Sequence, residues 1–183
     1  MEIERTPGIR PRPTFWRQFD VLGRQSFPAL GTLLGMLAIA APLGLPGQAE
    51  LLPGFALAAV FFWSVFRPAA MPPAVVFVLG LIADLLGFAP LGVRVLILLF
   101  TYGLGLRWRR RLADQQFAVV WLVFVAVAAV AAGLEWAFDS ALAFHALPTG
   151  PALFQFALTA GLYPPLAALL TRAHRSIAAW ERA

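Results

Sequence analysis

Six apolar stretches, each bounded by polar or helix-breaking residues, constrain this chain more than any other feature. They lie at roughly Phe27–Leu45, Leu51–Phe66, Pro72–Phe88, Leu91–Leu106, Phe117–Phe138 and Pro151–Thr171. Each approaches the ~20 residues that an α-helix needs to cross a bilayer; tilt or local thinning makes up the difference in the shorter ones. All six are uniformly apolar and rich in Ala, Leu and Val, whereas a membrane β-barrel would show short alternating segments. The expectation is therefore an all-α membrane protein, a bundle of six transmembrane helices. Composition agrees: 61% of residues are hydrophobic, 13% are charged, and the mean hydropathy is +0.80. A soluble domain would carry about a quarter charged residues to cover its surface.

Arginine sets the orientation. The chain has fourteen basic residues, all arginine. Arg5, Arg10, Arg12, Arg17 and Arg24 precede the first stretch, Arg67 follows the second, Arg107, Arg109, Arg110 and Arg111 follow the fourth, and Arg172, Arg175 and Arg182 follow the sixth. Only Arg94 stands apart. The other connections hold Glu50, Asp139 and His145 and no basic residue. By the positive-inside rule both ends are expected on the cytoplasmic side of a bacterial inner membrane, in a multi-pass topology. The basic balance is then a topological signal, and no nucleic-acid partner is implied. The reading divides the chain into a basic tail with an interfacial amphipathic helix (1–26), a transmembrane domain (27–171) and a basic C-terminal tail (172–183). In the first part, Phe15, Phe19 and Leu22 recur at helical spacing. Ala38-Ile39-Ala40 has the small-residue pattern of a cleavage site, but the polar region before it is long, so an uncleaved first span is expected.

Few residues could carry chemistry. Cysteine is absent, which excludes disulfides, thiolate metal sites and a cysteine nucleophile, and the two histidines are far apart. No G-x-S-x-G, H-E-x-x-H or Walker A pattern occurs. The expectation is a protein that is not an enzyme and needs no cofactor or metal. Asp84 and Arg94 are the ionisable residues placed most clearly inside spans, where a charge costs about 3 kcal/mol on insertion scales. They flank a tight turn around Gly87–Pro90 at matching depth, roughly 6 Å inside the outer end, so a carboxylate–guanidinium pair is expected. Glu135, in the fifth stretch, could complete an intramembrane polar cluster. The cluster either locks helices together or forms a ligand or proton site; Arg94 argues against a proton relay, since it favours ionised Asp84.

Small residues form a second pattern. Gly31/Gly35 in the first stretch, and Ala128/Ala132 and Ala129/Gly133 in the fifth, are steps that let helix backbones approach closely. They are read as packing within the bundle or, alternatively, as docking faces for a partner helix, with Gly31, Gly35, Ala129 and Gly133 the candidates. Pro164-Pro165 is expected to kink the sixth helix, which should then run on along the membrane surface past Thr171.

Residues 61–104, FFWSVFRPAAMPPAVVFVLGLIADLLGFAPLGVRVLILLFTYGL, resemble the rod shape-determining MreD family of bacteria. The resemblance rests on Trp63 and Pro68 at the end of the second helix, the Gly80-x-x-x-Asp84-Leu85 step, the Leu91-Gly92 pair, Arg94 and Tyr102. It implies a non-enzymatic subunit of the cell-elongation machinery. Its partners would be the membrane-anchored periplasmic protein MreC, the actin-like MreB, and the glycosyltransferase and transpeptidase that build lateral peptidoglycan. It also implies a bundle similar to the substrate-binding subunits of energy-coupling-factor transporters. The alternative function is accordingly a substrate-binding subunit of a small-molecule, vitamin-type transporter, which the short outer connections disfavour. A proton-coupled transporter would usually show more spans with internal repeats, and none is evident.

Overall fold

The computed structural model describes residues 15–41, 48–87 and 90–180, with side-chain positions for 27–41, 48, 50–87 and 90–172. The N-terminal tail and the last three residues lie outside the described residues, as does the middle of the turn after residue 87. Among the described residues the chain is all-helical: α1 (Phe15–Ala40), α2 (Gln48–Phe66), a 3-10 turn (Pro68–Ala70), α3 (Pro73–Leu86), α4 (Val93–Leu112), α5 (Phe117–Leu142) and α6 (Thr149–Trp180).

Each of the six expected stretches contains one helix or most of one; the expected end of the first, residues 42–45, lies outside the described residues, and most other boundaries shift by a few residues. α1 runs without a break from Phe15, so the segment expected as a separate interfacial helix is continuous with the first stretch. Pro28 lies inside it, and the Thr32 hydroxyl donates to the Pro28 carbonyl at 2.7 Å, a back-bond of the kind Thr makes within a helix. α4 continues through Arg107–Arg111, because cations are favoured in the last turn of a helix, where carbonyls are unpaired. α6 passes through Pro164-Pro165 without ending and continues to Trp180.

α5 and the Thr149–Arg172 part of α6 are long and apolar enough to cross a membrane, and Phe27–Ala40, Glu50–Phe66 and Pro73–Leu86 are shorter apolar helices. α2 is the central element. Every residue from Ala56 to Val65 is buried, which suits a helix that is apolar on all sides. It packs against α1, α4 and α6, while α3 packs mainly on α4, and α5 on α4 and α6. An aromatic cluster ties three of these helices: Tyr163 of α6 stacks on Phe124 of α5 with centroids 4.1 Å apart, and Phe61 of α2 meets both rings at 5.4 and 6.0 Å. Such offset and edge contacts add about 0.5–1.5 kcal/mol each beyond simple burial.

The closest approach of interest is between α3 and α4. A Cβ on Gly80 would sit 2.7 Å from the Val95 Cα, a main-chain atom that no rotamer change can move aside. Gly80→Ala should therefore lower the melting temperature of the purified protein, since overpacking of about 1–3 kcal/mol outweighs the ~1 kcal/mol of helix propensity gained. Gly103, on the same helix pair but facing open space, provides the contrast. Gly103→Ala should leave the melting temperature unchanged or raise it, and equal responses from the two variants would contradict this packing.

Candidate functional site: a reciprocally capped polar joint

The last turn of α3 and the first turn of α4 exchange polar groups. Asp84 is 1% exposed, and its carboxylate accepts hydrogen bonds from the main-chain N–H of Gly92 at 2.7 Å and of Arg94 at 3.0 Å. Those are among the donors that a helix N-terminus leaves unpaired, and a carboxylate is favoured at that end of the helix dipole. Gly92 can present its N–H because it adopts φ +98°, a left-handed conformation that disfavours any side chain.

Arg94 returns the contact. Its Nη1 donates at 2.8 Å to the Ala83 carbonyl, near the C-terminal end of α3, where a cation is favoured. Gly87 lies directly beneath the guanidinium, and a Cβ there would occupy the position of Nη1. α3 therefore caps the start of α4, and α4 caps the end of α3.

The direct carboxylate–guanidinium pair expected between Asp84 and Arg94 is thus corrected. The two residues do meet at matching depth, but Asp84 takes Arg94's main chain, and the Arg94 guanidinium pairs with Glu135, with Nε 3.4 Å from Oε1. The physical reason is that two main-chain donors converge on Asp84 from the start of α4, while the Arg94 side chain extends past it to α5. The other Glu135 oxygen accepts from Gln155 Nε2 of α6 at 2.7 Å. One polar chain thereby runs Asp84–Arg94–Glu135–Gln155 through α3, α4, α5 and α6. Gln155 is missing from the sequence reading; its signal was an amide inside the sixth apolar stretch, where polar side chains seek partners. Asp139 and Glu50, expected in outer connections, lie within α5 and α2.

The remaining candidates separate. Gly80, Asp84, Gly92 and Arg94 converge on the α3–α4 joint. Trp63 and Tyr102 are buried core residues elsewhere on α2 and α4, Pro68 opens the 3-10 turn, and Leu91 is exposed. Of the small residues, Gly35 is covered by the Phe55 ring of α2, whereas Gly31 faces open space; Ala128 is buried, while Ala129 and Gly133 lie on the exposed face of α5.

The capping geometry has a measurable signature. Gly87→Ala should displace the guanidinium from the Ala83 carbonyl and destabilise the protein by about 1.5–3 kcal/mol, the usual worth of a hydrogen bond to a charged group. In an Arg94→Ala background the same substitution should cost almost nothing, because the atom it collides with is gone. Costs that simply add would contradict the contact.

The joint's residues fall inside a region that also matches a known family. The sequence model described as rod shape-determining protein MreD matches residues 23–173. No curated protein and no solved structure matches the chain. With a family match spanning most of its length and the joint at its centre, the chain belongs to the MreD family of rod shape-determining membrane proteins.

Proposed function

We propose that this protein acts by binding rather than by catalysis, as an integral subunit of the bacterial cell-elongation complex. It docks the single membrane helix of MreC and supports the MreB-linked glycosyltransferase and transpeptidase in building lateral peptidoglycan. The family match over residues 23–173 carries the reading. Among the described residues the connections between the helices are short. In this reading all six helices span the inner membrane. The exposed Arg107, Arg109, Arg110 and Arg111 lie on the cytoplasmic side with both termini, and the 143–148 connection lies outside.

The surface proposed for MreC is the outer face of α5 around Ala129 and Gly133. Both residues are exposed, and nothing within 4 Å would meet a Cβ on Gly133. Helix association in lipid relies on such close approach, because apolar burial gives no advantage over lipid tails. Gly31, where a Cβ would likewise meet nothing within 4 Å, is a second candidate; Gly35 belongs to packing between α1 and α2.

Two outcomes test the reading. Reporters fused after Arg67 and Arg110 should read cytoplasmic and one at His145 periplasmic; a cytoplasmic reading at His145 would exclude the topology. Gly133→Leu should leave the protein folded and abundant yet reduce MreC co-purification at least tenfold, with cells rounding up. A folded variant that retains MreC and rod shape would exclude this surface.

A further inference from the structure

α4 carries two stripes along its length. Leu98, Tyr102, Gly105 and Leu112 recur at helical spacing and are buried. Leu96, Phe100, Gly103, Arg107, Arg110 and Arg111 recur on the opposite side and are exposed. A Cβ on Gly103 would meet nothing within 4 Å, so the outer stripe is open at that point. This stripe passes from apolar to cationic without a break. In a bilayer its first half faces acyl chains, and its second half reaches the level at which headgroups begin.

The spacing of the three arginines suits an anion. Residues three and four apart on a helix have Cβ atoms about 5–6 Å from one another, so Arg110 and Arg111 both neighbour Arg107 and the three guanidinium groups can converge. None of the three has an ion-pair or hydrogen-bond partner among the described residues, and the exposed Asp114 pairs with none of them. Over residues 107–114 four arginines stand against that single carboxylate. The positive-inside rule and the helix dipole both favour cations at this end of α4, but neither selects a face. Arg109, which continues the buried stripe, satisfies both. The other three lie where a lipid would meet them.

Depth agrees with charge. At about 1.5 Å per residue, Arg107 lies roughly 21 Å along α4 from Val93, short of the ~30 Å hydrocarbon thickness. A helix that reaches its charges this early draws headgroups inward or lets its side chains snorkel outward. Trp108, exposed beside the arginines, is of the residue type that settles at the headgroup level. Guanidinium groups hold phosphate through parallel N–H donors. We propose that Arg107, Arg110 and Arg111 hold the phosphate of an anionic phospholipid of the cytoplasmic leaflet, whose acyl chain lies along Leu96, Phe100 and Gly103. The proposal rests on the topology given above, which the reporter at His145 tests by itself. A periplasmic reporter without a lipid response would therefore sink this proposal alone.

The test uses the full chain purified in detergent, with the melting temperature followed as lipid is added in mixed micelles at constant ionic strength. Phosphatidylglycerol should raise the melting temperature. Phosphatidylcholine, whose phosphate is offset by its own ammonium, should not. Arg110→Gln should raise the phosphatidylglycerol concentration needed for half of the shift at least threefold, and Arg107→Gln and Arg111→Gln should each do the same, so the result does not hang on one variant folding. Arg109→Gln removes the same charge from the other stripe and should leave that concentration nearly unchanged. Glycerophosphoglycerol, the same headgroup without acyl chains, should give no shift at matched concentration. The proposal is overturned if the two lipids act alike, or if the free headgroup replaces the lipid. It is equally overturned if Arg109→Gln weakens the response as much as Arg110→Gln, since the lipid would then feel only the total charge.

Discussion

A carboxylate buried among apolar helices must be met by donors that the fold itself supplies, and Asp84 meets this condition through the unpaired amides at the start of α4. Everything around the α3–α4 turn follows from that requirement. Gly92 turns left-handed to present its N–H. Gly80, one helical turn before Asp84, lets the two backbones come close enough for the contact. Gly87 leaves room for the Arg94 guanidinium to reach back to α3. The two charges occupy opposite ends of two helix dipoles, so each is favoured by its local field. Neither needs the other's side chain as a partner.

Because the guanidinium is not consumed by Asp84, it is available to Glu135, and through Glu135 to Gln155. This is how a turn between two helices comes to organise four. α3 and α4 are locked to each other by main-chain capping, α5 joins them through the Arg94–Glu135 ion pair, and the aromatic cluster of Phe61, Phe124 and Tyr163 ties α5 and α6 to α2. The central α2 supplies the apolar core against which the others lean. The result is a bundle centred on α2, with α1, α4 and α6 packed directly on it, α3 on α4, and α5 on α4 and α6.

Much of this was legible in the sequence, and the reasons for the rest are physical. The positions of the six helices follow from hydropathy, and the depth match of Asp84 and Arg94 follows from their equal spacing about the turn. What spacing could not show is which atoms of Arg94 Asp84 would take, because that depends on the sign of φ at Gly92. The Arg94–Glu135 ion pair and the role of Gln155 depend on which faces of α5 and α6 turn inward, and for helices apolar on nearly every face that pattern is weak. Gly35 likewise looked equivalent to Gly31 until the Phe55 ring of α2 distinguished them. The glycines of the family-like stretch were visible as letters, but their reasons lie in the approach of a partner backbone or side chain.

The claim on which the account rests is that Asp84 satisfies the first turn of α4. Hydrogen–deuterium exchange across that turn tests it directly, comparing the unaltered protein with Asp84→Ala. In the unaltered protein the Gly92 and Arg94 amides should exchange slowly for a helix start, because both donate to a buried carboxylate. In Asp84→Ala they should exchange markedly faster, while amides from Ile97 to Tyr102 remain protected. Unchanged protection at Gly92 and Arg94 would mean that the carboxylate does not hold the turn, and the account of the joint would be wrong.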